Sequence, residues 1–435
     1  MIELKGQYNK DCKIFNDEIE EDAITLIYSL LNVPVFENVP VRIMPDVHFG
    51  KSIVIGFTAP ITNMICPSHV GVDIGCSIST YITDAKINPE EYPILEHKIR
   101  QKCPLGFNIQ EKRIFEMKDF LKFLRIEYNK AKSSWPKMIG ERDISEKGIS
   151  KMLQRIGMDE GIFYKSLGSV GSGNHFLELG DCNGHYTFTI HCGSRNFGVK
   201  VCKYWERVAK EVKIDRTAFS KALDELKAST VDKTTLPEKI KQLKREYEIG
   251  TSQGYLKGED MKGYLSDMVI ATAYAAYNHE LLAHIIADIF RKINGGKVVD
   301  KIKSVHNYVD FQDHMIRKGA IRSYEYERMV VPFNMRDGLA ICVGKSNEDW
   351  NCSCSHGAGR KLSRSAAKKE LSLDEFTETM KDVYSTSVCR GTLDEAPGAY
   401  KDTETILDLI QDTCEVLYMI KPVVNMKATE TVEED

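Results

Sequence analysis

The longest apolar stretch of this chain, Met268 to Phe290, carries Asn278, His279, Glu280, His284 and Asp288 within it. A bilayer-spanning helix would not hold these polar side chains together, so the segment reads as a helix buried inside a protein body. Leu265, Met268, Val269, Thr272, Ala276, His279 and Ala283 recur at three- and four-residue steps and fall on one buried face. His279 on that face is expected to be a satisfied core histidine, not a ligand. With 435 residues, 42% hydrophobic and 28% charged, the chain has the composition of an ordinary globular protein. That length fits two or three average domains or one large α/β body.

The N-terminus, MIELKGQYNKDCKIF, places charges where a signal peptide needs an unbroken apolar run, so the expected location is the cytoplasm, with no membrane partner. Twelve cysteines in so long a chain are expected to be reduced thiols, mostly in the core. Cys352 and Cys354 form a C-x-C pair, but without two further nearby ligands that is a poor signature for structural zinc. A formal charge of −4 supplies no global basic field, so a nucleic-acid partner must be held by a local patch.

Residues 40 to 80 alternate short apolar runs with Gly and Pro, the pattern of short strands and tight turns. Residues 90 to 160 predict a helical layer interrupted at GERD. Strand-like runs return between Gly168 and Gly198, followed by a helical run near VKVCKYWERVAKEV, repeating a strand-then-helix alternation. Lys- and Glu-rich residues 215 to 250 predict a solvated pair of helices, a helical insertion over about 215–260. After Val298 the pattern reads as strands through Val343, then a loop, then a helix over RKLSRSAAKKEL. The acidic end, ATETVEED (428–435), is expected to be a flexible tail.

Five ligand-capable side chains are spread along this pattern, each in a glycine-rich or strand-like stretch: Asp73 and Cys76 in GVDIGCS, His175 in GSGNHFLEL, His191 in TIHCGSR and His306 in VHNYV. A metal-assisted site needs such backbone, because each ligand must be aimed by its own local turn. Asp73 and Cys76 stand three apart with a glycine between, so both side chains can fold towards one point. There a thiolate can bridge two cations and a carboxylate can complete one of them. Glycines before Asn174 and His175 let the strand approach a phosphate or metal closely. His191 and Arg195, four apart, can share a loop as ligand and phosphate-holding guanidinium. His356 opens HGAGR ahead of a helix expected to carry Arg360, Arg364 and Lys368 on one face, which suggests a phosphate site. At that point a histidine can coordinate metal, act as a base or attack phosphorus, and position alone does not choose.

MPDVHFGKSIVIG, VGVDIGCS, GSVGSGNHFLEL, IHCGSRNFG, HNYV, RKGA, SCSHGAGRKLSRSAAKK and EAPGAYKD, in this order and spacing, resemble the RtcB-type RNA-splicing ligases from about Val41 to Lys427. The resemblance implies a mixed α/β fold, a single catalytic body over residues 1–427 with central sheets and one deep site. It implies joining of RNA 3′-phosphate or 2′,3′-cyclic phosphate ends to 5′-hydroxyl ends, using GTP and two divalent cations, usually Mn²⁺, and it leaves room for an activating protein. His356 matches the guanylylated histidine, Cys76 the bridging thiolate, and Asp73, His175, His191 and His306 the other metal ligands.

By the same resemblance the nucleotide is contacted by Asn174, His175, Phe176, Leu177, Glu178, His306, Asn307, Pro332, Phe333, Asn334, Met335, Leu339, His356, Gly357, Ala358, Gly359, Tyr400 and Lys427. Asp46, Arg195, Arg317, Lys318, Arg360 and Arg364 are the candidates for RNA or phosphate contact. One stretch departs from the family pattern: where typical members read PGSMG with a serine two residues on, this chain has Pro332-Phe333-Asn334-Met335-Arg336 and Leu339. Phe333 replaces a glycine and Leu339 removes a hydroxyl, so nucleotide selectivity is expected to differ. The alternative function is a metal-dependent phosphoesterase or nucleotidyltransferase paralogue with weakened ligation; an RNA-binding protein without catalysis is disfavoured by the complete ligand set.

Overall fold

A computed structural model describes residues 1–210, 216–230, 235–246 and 254–429. The architecture is mixed α/β and is built around two large sheets. The first sheet has six strands in the spatial order Ile2–Leu4, Cys12–Ile14, Val41–His48, Ile55–Pro60, Met315–Lys318 and Asn307–Asp310. The second has seven, in the order Val298–Val305, Ser77–Lys86, His185–Cys192, Phe176–Cys182, Cys414–Lys427, Leu339–Gly344 and Arg328–Pro332, all antiparallel. Its end strands approach each other: the Val330 N–H donates to Ser304 Oγ at 2.8 Å and Arg328 pairs with Asp300. The sheet is therefore nearly a closed barrel, which leaves little unpaired edge.

Register in the second sheet follows from side-chain pairs across strands. Thr80 and Thr189 are opposite and share a hydroxyl hydrogen bond of 2.8 Å, and their neighbours Tyr81 and Phe188 stack with ring centroids 4.8 Å apart. A shift of one residue would turn both pairs to the wrong face. The chain passes directly from the seven-stranded to the six-stranded sheet at His306, between Val305 and Asn307. That residue consequently stands where the two sheets meet.

The apolar stretch that opens the sequence argument lies in a 37-residue helix, Gly258–Asn294, closed by Gly295 in the left-handed conformation. Two of its buried polar residues, Asn278 and His279, are tied to segments that carry site residues. Asn278 accepts the Gly168 N–H at 2.6 Å and donates to the Ser169 carbonyl at 3.0 Å. His279 Nε2 donates to the Cys192 carbonyl at 2.9 Å, with Ser77 Oγ at 3.2 Å, and burial pulls its pKa down to about 3. It is a core histidine, as the periodicity indicates, bonded through Nε2, while its Nδ1 has no hydrogen-bond partner among the described residues. Among the described residues no helix is long and apolar enough to cross a membrane.

Two expectations change. The helix over RKLSRSAAKKEL starts only at Arg364, with the Ser363 hydroxyl accepting the Ala366 N–H, and ends at Glu370. Arg360 precedes it, in an isolated bridge with Tyr400, and so does not share a helix face with Arg364 and Lys368. The Lys- and Glu-rich stretch does form two helices, Arg216–Ser229 and Leu236–Glu246, but residues 211–215, 231–234 and 247–253 of that region lie outside the described residues, as do residues 430–435 of the acidic tail. All twelve cysteines are free thiols and most are buried; Cys354 Sγ lies 3.8 Å from Cys414 Sγ in the core.

Candidate active site and metal centre

The site is a cavity of about 740 Å³ between the two sheets. Asp73 and Cys76 reach it from the turn before the strand Ser77–Lys86, closed by a Cys76 N–H to Asp73 carbonyl bond of 3.2 Å. Gly75 in this turn has φ +74°, and an added Cβ would come within 2.8 Å of the Thr272 Cα, so only glycine lets the turn pack on the long helix. His191 comes from the strand His185–Cys192, and His175 from the residue before Phe176–Cys182. The His306 N–H donates to the Cys76 carbonyl at 3.0 Å, which locks the sheet junction to the same turn.

Cys76 is the common member of two ligand groups: Cys76, His191 and His306, and Asp73, Cys76 and His175, with ligand atoms within 4.8 Å of one another in each. Its Sγ is 3.4 Å from Nε2 of both His175 and His191, and Asp73 Oδ2 is 2.9 Å from His175 Nε2. Burial holds His191 and His306 well below the ordinary histidine range and keeps the Cys76 thiol well above its own. Burial alone would raise Asp73, but His175 beside it brings the carboxyl down to about 2. The Nδ1 atoms of His175, His191 and His306 are buried without a hydrogen-bond partner among the described residues. One thiol and one carboxylate ringed by three imidazoles, with the Nε2 atoms of His175 and His191 converging on Cys76 Sγ, form a donor set that fits a pair of cations sharing the thiolate.

His356 stands next to this cluster, with its ring centroid 4.9 Å from that of His306. Its Nδ1–H donates to Asp46 Oδ2 at 2.6 Å, and the same oxygen accepts the His356 backbone N–H at 3.2 Å. A carboxylate can only accept, so the neutral ring carries its proton on Nδ1 and leaves the Nε2 lone pair open. Asp46, expected as a phosphate contact, is fully buried in the strand Val41–His48 and partners His356. Gly359 makes the approach possible: its φ is +74°, and a Cβ there would fall 2.2 Å from the Asp46 carbonyl oxygen.

The far wall is organised by Glu395, a residue the sequence argument passed over. It accepts from Tyr400 Oη at 2.6 Å, Lys427 Nζ at 2.7 Å, Arg364 Nη1 at 2.8 Å and Arg360 Nη1 at 3.2 Å. Burial would raise its pKa, but Lys427, Arg364 and Arg360 together hold it down at about 2. Glu178 is the opposite case: burial pushes it up to about 8 against the Asn425 amide, which donates to Oε2 at 2.7 Å.

Most expected site residues line this one cavity: Asn174, Phe176, Glu178, Asn307, Pro332, Phe333, Asn334, Met335, His356 to Gly359, Arg360, Arg364, Tyr400 and Lys427. Others do not. Leu177 points to the opposite face of its strand from Phe176 and Glu178, into the core with Leu179 and Ile190, as the two-residue period requires. Leu339 packs among Ile78, Val330, Ile341 and Ile420. Arg317 is fully buried and pairs with Asp310 and Asp313, and Lys318 donates to the Ser68 carbonyl. Arg195 donates to Ser169 Oγ and the Gly106 carbonyl, so it braces the glycine loop before His175. Besides Glu395, the cavity brings in His48 and Asn425, for which the sequence carries no signal beyond their place in quoted or apolar stretches.

A carboxylate-backed histidine beside two ligand groups is compatible with metal-assisted chemistry in which the imidazole acts as base or nucleophile. Comparison with protein families narrows the class. The family model described as "RtcB: tRNA-splicing ligase RtcB" matches residues 29–428, and the chain belongs to that family. It is 28% identical to the RNA-splicing ligase RtcB of Escherichia coli (strain K12) over 94% of this chain and 95% of that protein. It is 25% identical to the tRNA-splicing ligase RtcB of Archaeoglobus fulgidus over 90% of this chain and 88% of that protein.

Proposed function

We propose that the protein is a GTP-dependent RNA ligase that joins 3′-phosphate or 2′,3′-cyclic phosphate ends to 5′-hydroxyl ends through guanylylated His356, in tRNA splicing or RNA repair. The observation that carries the reading is the His356 ring, fixed by Asp46 in the tautomer whose Nε2 can attack, beside the Cys76 cluster. His356 Nε2 attacks the α-phosphorus of GTP, pyrophosphate leaves, and the guanylate stays on the imidazole. It then passes to the RNA 3′-phosphate, which turns a poor leaving group into an activated diphosphate. The 5′-hydroxyl displaces GMP from it.

Asp73, Cys76, His175, His191 and His306 would hold two divalent cations, Mn²⁺ in the simplest case, and these supply charge neutralisation at the reacting phosphates and an activated water for opening a cyclic end. Of the cavity cations, Arg364 is about a third exposed and contributes only Nη1 to Asp394 and Glu395 among the described residues. It is the guanidinium best placed to meet a phosphate. The test is joining of a 3′-phosphate RNA to a 5′-hydroxyl RNA with Mn²⁺ and GTP. Joined product that requires GTP supports the reading; opening of cyclic phosphate with no joined product at any GTP concentration defeats it.

A further inference from the structure

Asp46 holds two imidazoles, not one. Its carboxylate takes His356, and its backbone carbonyl lies 2.9 Å from Nδ1 of His48, two residues on along the same strand. A carbonyl oxygen has no proton to give, so His48 must carry its proton on Nδ1, and its second nitrogen, Nε2, is left as a bare acceptor. No hydrogen bond to that Nε2 occurs among the described residues, and the half-buried ring forms part of the cavity wall. Lys401 fixes the strand end behind it, donating to the Val47 carbonyl at 2.6 Å and the Pro45 carbonyl at 3.3 Å. The cavity therefore presents one imidazole whose Nε2 is assigned to attack phosphorus and a second, held rigidly on the same residue, whose Nε2 can only accept.

Resting on the ligase reading, we propose that His48 is the general base of the sealing step, accepting the proton of the RNA 5′-hydroxyl as it attacks the activated 3′ end. The hydroxyl oxygen forms a bond to the 3′-phosphoryl phosphorus, and the bond from that phosphorus to the guanylate oxygen breaks. GMP leaves with the electron pair, and the hydroxyl proton moves to His48 Nε2. The imidazolium returns its proton to water after product release. Burial, then His356 and Lys401, hold the His48 pKa down at about 4 against the bond from Asp46, so the ring is neutral and ready to accept at neutral pH. Substrate phosphates arriving beside it raise its basicity during the step.

The test separates the two halves of the reaction in single turnovers with Mn²⁺, GTP, a 3′-phosphate RNA and a 5′-hydroxyl RNA. In His48→Ala and His48→Asn, joining is expected to fall about 10²-fold more than guanylylation of His356, with guanylate-capped RNA accumulating. Asn keeps an N–H for the Asp46 carbonyl but lacks the distal nitrogen, so its matching loss excludes a purely structural role. Added imidazoles are expected to restore joining by His48→Ala, the rate rising with the basicity of the imidazole used. If guanylylation and joining fall in step, or His48→Asn joins at the native rate, the proposal is wrong. A native protein that forms no His356 adduct and joins nothing defeats the ligase reading itself and this proposal with it.

Discussion

Replacing Asp46 by Asn isolates what the buried carboxylate does for His356. One oxygen, Oδ2, accepts both the His356 backbone N–H and Nδ1–H, while Oδ1 is buried without a partner. An asparagine at this position is driven to place its amide oxygen where Oδ2 was, because the backbone N–H must have an acceptor there. The tautomer of His356 is thus retained, and only the negative charge is lost. A hydrogen bond to a charged group contributes about 1.5–3 kcal/mol, and the Nδ1 bond strengthens as the ring turns positive in the attack. Asparagine keeps a neutral bond of about 0.5–1.5 kcal/mol, so losing the charge alone, about 1–1.5 kcal/mol, slows guanylylation roughly 5- to 13-fold. Asp46→Ala, with no acceptor at all, frees the ring to rotate or change tautomer and is expected to lose more. The assay is single-turnover transfer of α-labelled GTP to protein at saturating nucleotide. Asp46→Asn within threefold of the native rate would refute the role of the charge; an Asn variant as inert as the Ala variant, though folded and able to bind GTP, would refute the argument about amide orientation.

Other substitutions probe separate parts of the site. Leu339→Ser is expected to cost stability on the order of 3 kcal/mol through a cavity and a buried hydroxyl, while the KM for GTP stays within about twofold, since the Leu339 side chain is buried behind the cavity wall formed by Ile78 and Gly338; a large KM change would contradict its placement. Gly359→Ala meets both a φ of +74° and the Asp46 carbonyl, so guanylylation is expected to fall more than tenfold in a protein that still melts cooperatively, by roughly the ratio of 1.4 kcal/mol or more in strain. Glu178 has its pKa raised from 4.5 to about 8 by burial. Its contribution is full below the unfolded value of 4.5 and is lost as pH rises towards 8, so native stability falls across that window relative to Glu178→Gln. Thermal melts of the two proteins at pH 5 and pH 8 should show the Gln variant gaining on the native protein as pH rises; a constant gap would overturn the assignment.

How far the sequence reaches into this structure depends on the range of each interaction. Asp73 and Cys76 are legible because three residues and a glycine make one turn, and the long helix is legible because its apolar period survives the polar residues inside it. His279 is read correctly for the same reason. In the contiguous stretch from Asn174 to Glu178 the strand sends the Leu177 side chain away from Phe176 and Glu178, a period visible in HFLEL itself. Arg317 carries its own explanation in Asp310 and Asp313, whose strand-and-turn spacing lets both carboxylates reach back to it. By contrast, the Asp46 and His356 pair spans 310 residues, and Glu395 gathers Arg360, Arg364, Tyr400 and Lys427 from three elements. Neither arrangement has a local signature, because each depends on which buried carboxylate the folded chain brings to which cation or imidazole. The helix over RKLSRSAAKKEL is drawn too long because Arg360 is captured by the bridge to Tyr400 before Ser363 caps the helix.

The central claim is that His356 is the atom donor that receives the nucleotide. Incubating the protein with Mn²⁺ and GTP labelled at the α-phosphate, followed by peptide mapping of the acid-labile, alkali-stable product, tests it most directly. The account predicts one labelled peptide, containing His356, and no label in His356→Ala. Label that persists in that variant, or maps to a peptide without His356, would contradict it.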